Sequence, residues 1–361
     1  MRAHRGTRET RRYPVLVYVH GESYQWSTGN VFDGTVLASY GGMVVVTMNY
    51  RLGILGFLNA NTDPYLRSPS NYGLMDQIAA LHWLQENIAY FGGDPGNVTL
   101  MGHGTGAACV HFLMTSSAVP EGVLFHRAIM MSGAANAPWS LARQPWRYAR
   151  QLARHANCSW EQSHAHLLKC LRERPLSVLM SVPVDPPQFA TTFGPSVDGV
   201  VIDTGIERQS TLTDNGIGMK TRSRDHGQHE WVVSRKSVVT KLSRYDLLLG
   251  VVRAEAFLSF TGEDVMYGIE PDRRTNILRT FVKSTYRYHL SEILATIVNE
   301  YTDWEKPVQH PINIRDETLE ALSDAQFVAP MVHTADLHSS QGRNSFLYVF
   351  EYQTKFGDYQ Q

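Results

Sequence analysis

Residues 97–117 read NVTLMGHGTGAACVHFLMTSS. Asn97–Met101 carries valine and threonine among aliphatic side chains and reads as a short strand. Residues 105–117 are apolar, free of proline, and read as a helix. Between them stand Gly102, Gly104 and Gly106. Glycines at alternate positions let a chain turn sharply and let strand and helix approach closely, because no Cβ fills the gap. Taken alone, G-x-G-x-G also suits a phosphate-binding turn, so its surroundings must decide.

Outward from this stretch, VLVYV (15–19) and MVVVTM (43–48) are short apolar runs rich in β-branched residues, as in buried strands of a parallel sheet. Residues 73–90 place Leu74, Ile78, Leu81, Leu84 and Ile88 at helical spacing, and Gly92-Gly93-Asp94-Pro95 then breaks the chain. Further strands are expected at 127–131, 245–252 and 346–352, and helices at 105–117, 275–303 and 326–341. This alternation predicts an α/β architecture, a central mostly parallel sheet flanked by helices.

Of the 361 residues, 43% are hydrophobic and 19% charged, which supports a sizeable core and excludes a disordered chain. A net charge of −1 gives no reason to expect nucleic acid or an anionic membrane as partner. Residues 1–12 carry arginines at 2, 5, 8, 11 and 12 without an apolar core; they read as a disordered basic segment, not a signal peptide. No run reaches the roughly 18 apolar residues of a membrane span. Either the protein is cytosolic or the chain lacks its natural ends, and the second is expected. Residues 211–240 are polar and glycine-containing and read as a loop insertion in a domain covering 13–361.

Three cysteines are too few for a disulfide scaffold. Cys109 lies in the apolar helical run and reads as a buried thiol; Cys158 and Cys170 are close enough in sequence to close a small loop. Asn97-Val98-Thr99 and Asn157-Cys158-Ser159 are acceptor motifs for N-glycosylation. Together these features tilt toward a secreted context.

The stretches VYVHGESY (17–24), VVTMNYRLGILGFL (45–58), 71–102, LFHRAIMMSG (124–133), FGPSVDG (193–199) and DLLLGVVRAEAF (246–257) resemble the type-B carboxylesterase and cholinesterase family, in the family's order. HGESY (20–24), GAACV (106–110) and QFVAPMVHTADLH (326–338) are most similar to the neuroligins, the insect ones nearest, with gliotactin and glutactin as related inactive homologues. The resemblance implies an α/β-hydrolase fold, here incomplete at both termini. In that fold G-x-S-x-G holds the nucleophile on a strained turn; this chain has Gly104 at the serine position.

Carried over position by position, the glycine-rich oxyanion loop of active members corresponds to Gly21, Glu22 and Ser23. A carboxylate at Glu22 would repel a developing oxyanion. Glu255 matches the acid of the Ser-Glu-His set and is expected as a relic with a structural hydrogen-bond role. The histidine would lie beyond Gln361; His103, His333 and His338 do not match it. The resemblance further implies a Cys158–Cys170 disulfide and an Arg51–Asp94 ion pair. Both of those charges flank apolar runs, where an unpaired charge costs several kcal/mol. Expected, then, is a catalytically inactive, cholinesterase-like ectodomain. It would sit at the cell surface in its full-length form, take a neurexin-like partner, and form a homodimer through a helix near 275–303. No cofactor, no metal and no nucleic acid are expected. The alternative is a carboxylic-ester hydrolase of the same family.

Overall fold

The computed structural model describes residues 12–61, 67–160, 164–184, 187–203, 240–305 and 309–352. Thr240 apart, the expected 211–240 insertion lies outside these residues, as does the basic N-terminus before Arg12.

Six strands form one sheet: β1 (Tyr13–Val19), β2 (Val44–Thr47), β3 (Gly93–His103), β4 (Arg127–Met131), β5 (Asp246–Val252) and β6 (Ser345–Phe350). Their order is β2-β1-β3-β4-β5-β6 and every pairing is parallel. A parallel sheet needs cover on both faces, and its central strands are accordingly rich in apolar residues; Val15, Val17, Val19, Val98, Leu100 and Leu247 are all buried. The register sets Val19 beside Gly102, Gly102 beside Met130 and Met131 beside Gly250. The carboxyl ends of four strands therefore converge on one edge, the place where open α/β sheets hold their sites.

The longer helices are α1 (Tyr72–Asn87), α2 (Thr105–Thr115), α3 (Pro145–His155), α4 (His164–Arg172), α5 (Pro271–Thr285), α6 (Leu290–Glu300), α7 (Pro311–Ser323) and α8 (Ala329–Ser339). Every residue of α2 is buried, including His111 and Cys109. A helix apolar all round belongs inside, and α2 packs against β1, β3 and β4. Burial pushes the Cys109 thiol up to about 12, so it stays a neutral, unreactive group. Two smaller cores lie beside the main one. One joins α3 to α4 through Ala149, Leu152, Leu167 and Leu171; the other gathers Ile277, Leu278, Phe281 and Ile314 from α5 and α7.

Three boundaries differ from the sequence reading. The segment expected as one helix over 275–303 is two, because the chain turns at Tyr286–His289, where His289 takes φ 54°. The helix expected at 326–341 continues α7 through a π turn at Asp324–Val328. Strand β3 starts at Gly93, four residues before Asn97, after Gly92 at φ 83° ends the preceding helical turn. At the sheet edge, β6 leaves Phe346, Leu347, Val349 and Phe350 each more than half exposed. An edge strand with exposed apolar side chains is a surface open to pairing or cover.

Candidate functional site

The β3–α2 turn is a glycine box. A Cβ at Gly106 would stand 2.2 Å from the Val19 carbonyl oxygen, and one at Gly102 would stand 2.4 Å from the Gly106 backbone. Gly21 is equally tight against the His103 carbonyl oxygen, at 2.4 Å, and Gly133 against that of Gly104, at 2.2 Å. Those four glycines are required by close approach of backbone to backbone. Gly104 differs. A Cβ there would meet nothing within 4 Å, but its backbone sits at φ 56°, ψ −120°. The strained, outward-presenting conformation of a nucleophile turn is thus kept, with open space where a side chain would project. Gly104 N–H donates to the Met131 carbonyl at 2.9 Å, and its own carbonyl accepts from Ala108 N–H at 3.1 Å.

Facing the turn is the loop after β1. Glu22, Ser23, Tyr24 and Ser27 have φ of 98°, 56°, 59° and 92°. Four side-chain-bearing residues in the left-handed region is the backbone of a glycine-rich loop occupied by other residues. Tyr24 is fully buried and donates from its hydroxyl to the Ser140 carbonyl at 3.1 Å. Glu22 and Ser23 stay exposed, and the Glu22 carbonyl accepts from Gln25 N–H at 3.1 Å. Beneath the loop, buried His20 stacks on Tyr50 at 4.4 Å; burial holds its imidazole below the usual range. The Tyr18 phenol is raised by burial and then by the Glu22 charge.

Glu255 follows β5. Its Oε1 accepts from Val252 N–H at 2.8 Å. Burial raises its carboxyl pKa, while the Val252 N–H, the Ser132 side chain and the charge of His103 act in the opposite direction. The chain therefore brings Gly104, His103, Ser132 and Glu255 to one edge of the sheet. Ser132 was not singled out in the sequence. It is buried, lies at φ 54° and ends β4 beside the turn; its one signal is the Ser-Gly pair following a strand. His338 lies elsewhere: it is buried against the amino end of β5, its Nε2 bonded to the Tyr245 carbonyl at 2.8 Å. Chemically the cluster holds an acid and a hydroxyl already engaged with it. Position 104 itself carries no hydroxyl, the neighbouring Thr105 hydroxyl is buried at the start of α2, and among the described residues no imidazole is hydrogen-bonded to a hydroxyl at the turn.

The carboxylesterase family profile matches residues 3–361. The chain belongs to the carboxylesterase family. Similar curated proteins include neuroligin-1 of Caenorhabditis elegans, 35% identical over 357 residues. Neuroligin-3 of Mus musculus is 36% identical over 349 residues, and neuroligin-2 of Homo sapiens 38% over 350. Each alignment covers 95% of this chain and 41%, 38% and 37% of those relatives respectively. The chain thus spans about two-fifths of their length. No helix among the described residues is long and apolar enough to cross a membrane.

Around the site of this carboxylesterase-family chain, Cys158 and Cys170 are bridged, with Cα atoms 5.9 Å apart. The expected Arg51–Asp94 pair is corrected. The Arg51 fork meets Asp76 on α1, Nε to Oδ2 and Nη2 to Oδ1 both at 2.8 Å, and Arg51 N–H donates to the same carboxylate. Asp94 instead accepts from Gly96 N–H at 2.9 Å, closing its own turn. Arg51 is also half-exposed, and its guanidinium lies 5.3 Å from the Tyr72 ring. The physical reason is local. Gly73 opens α1 against the Arg51 backbone, where a Cβ would stand 2.5 Å from the Arg51 carbonyl oxygen, so the α1 carboxylate lies within reach of the arginine, whereas Asp94 is taken up by its own glycine turn.

Proposed function

We propose that this chain is part of a catalytically inactive, cholinesterase-like adhesion protein that acts at the cell surface and binds a neurexin-type partner. The observation that carries the reading is Gly104. The turn keeps its box of glycines and its strained backbone, and the atom that would attack a carbonyl is missing. Losing the nucleophile of an acyl-transfer set costs several orders of magnitude in rate. The similarity to neuroligins supports the adhesion half of the reading, because a hydrolase scaffold without chemistry is retained for the surface it presents.

A homodimer of the full-length protein is part of the same proposal. Helix α6 has no buried residue, and a groove of about 710 Å³ between α5 and α6 is lined by Val282, Leu290, Leu294, Val298 and Trp304. An apolar groove of this kind on a protein surface marks a contact face.

Two measurements test the proposal. The purified chain is expected to hydrolyse p-nitrophenyl acetate no faster than a Gly104→Ala control. Cells displaying the full-length protein are expected to aggregate with cells displaying a neurexin. Hydrolysis well above the control would favour the ester hydrolase, and failure to aggregate would remove the partner.

A further inference from the structure

The two glycosylation motifs sit in opposite settings. Asn97 lies inside β3, partly buried, and its Oδ1 accepts from Arg127 Nη1 at 2.6 Å. Arg127 also reaches across to Asp246, at 3.8 Å, so this side chain belongs to a ladder spanning β3, β4 and β5. Thr99, the third residue of that motif, is paired on both sides, to Leu16 and to Arg127. Asn157 stands just past α3, exposed, at φ 51°. Asparagine tolerates that left-handed position, and helices commonly end on it. Ser159 is exposed as well.

Between Asn157 and Ser159 lies Cys158, which is different again. It is buried, its N–H donates to the Ala153 carbonyl at 2.8 Å, and its sulfur is bridged to Cys170. Enzymes that modify this motif must draw Asn-x-Ser into an extended pose. The middle residue here is locked once the helix end and the bridge have formed.

We propose that Asn157, and not Asn97, carries an N-linked glycan, and that its transfer precedes closure of the Cys158–Cys170 bridge. Transfer forms a bond from Asn157 Nδ2 to the anomeric carbon of the sugar. It displaces the diphosphate of a lipid-linked oligosaccharide donor, and the amide loses one proton. Closure removes two protons and two electrons from the thiols, taken up by a disulfide of the oxidising compartment through thiol–disulfide exchange. The two reactions compete for one turn of chain. A glycan on Asn157 leaves the folded lobe into solvent. Asn97 is instead an only partly exposed strand residue whose amide is held by Arg127 through Oδ1, which leaves a glycan on its Nδ2 little room at the β3–β4 ladder. The inference rests on the reading that the protein travels the secretory route.

The test expresses the full chain behind an added leader in animal cells, so the compartment is imposed by the leader and not by the reading. Secreted protein is expected to lose one glycosidase-sensitive mobility step in Asn157→Gln and to keep it in Asn97→Gln. Cys170→Ser leaves Asn157-Cys158-Ser159 intact and removes the bridge, so the glycosylated fraction is expected to rise. If that variant fails to leave the cell, a pulse of dithiothreitol on the wild type during synthesis is the second arm, and occupancy is again expected to rise. A glycan mapped to Asn97 in secreted protein, a chain bare at Asn157, or occupancy unmoved by both bridge perturbations would each overturn the inference. None of those outcomes bears on adhesion, which the location and aggregation of the unmodified full-length protein test separately.

Discussion

The turn at 102–106 and the loop at 20–27 face each other and depart from an active site in opposite ways. At the turn the glycines remain and the one reactive side chain is gone. At the loop the backbone is left-handed at Glu22, Ser23 and Tyr24, where the resemblance leads one to expect glycine at the first two. Backbone geometry has outlasted chemistry in both places, but for different causes. The turn is fixed by contact: Gly21, Gly102, Gly106 and Gly133 have no room for a Cβ. The loop is fixed by what it buries, since Tyr24 sits in the main core and bonds Ser140. Contact of backbone with backbone cannot relax, whereas a strained φ costs roughly 1–3 kcal/mol and other packing can offset it. That asymmetry decides which positions tolerate change.

The largest expected effect follows from the contact side. Gly106→Ala drives a methyl into the Val19 carbonyl, so stability should fall by about 3 kcal/mol or more. A denaturation midpoint within error of wild type would show that the turn is looser than the contacts require.

The helix behind the turn gives the next effect. His111 is buried in α2, and its Nδ1 accepts from Ala135 N–H at 3.1 Å. Burial first, then the charges of His338 and His333, pushes its pKa from 6.5 down to about 3. Between those values the unfolded chain takes up a proton that the folded chain refuses. Stability should therefore fall as pH drops through that window, by up to about 1.4 kcal/mol per pH unit. Unfolding curves for His111→Asn, measured from pH 7 to 4, are expected to be flatter than wild type. Parallel curves would place the acid sensitivity elsewhere.

A smaller effect separates two carboxylates. Asp76→Asn removes a bidentate pair that is partly open to solvent, for about 1 kcal/mol. Asp94→Asn keeps an oxygen that can accept from Gly96 N–H and should cost less. A reversed ranking in thermal unfolding would restore the pairing first expected. The smallest effect belongs to the loop. Ser23→Gly relieves a left-handed backbone at an exposed position and should leave stability unchanged or raise it by up to about 1 kcal/mol. A clear loss would mean that the Ser23 side chain itself holds the loop.

Much of the architecture was legible because it rests on local patterns. The apolar runs at 15–19 and 127–131 and the glycine spacing at 102–106 each name an element without reference to the rest of the chain. The failures are tertiary. The sequence does not say which carboxylate Arg51 meets; the close approach of Gly73, at the start of α1, to the Arg51 backbone brings Asp76 to it. The turn at Tyr286–His289 contains neither glycine nor proline, so the periodicity ran through it unbroken. Ser132 carries only a Ser-Gly pair after a strand as its signal; its place beside Glu255 depends on β4 and β5 ending in register.

The central claim is that the turn survives while its chemistry does not, and Gly104→Ser tests it most directly. Because a Cβ at that position meets nothing, the variant should fold, with a cost of about 1–2 kcal/mol from its backbone conformation. It should take no label from a fluorophosphonate probe and hydrolyse p-nitrophenyl acetate no faster than Gly104→Ala, since no imidazole among the described residues is hydrogen-bonded at the turn to act as base. Covalent labelling at residue 104 with hydrolysis above that control would contradict the account, as would labelling of the wild-type chain within residues 100–108.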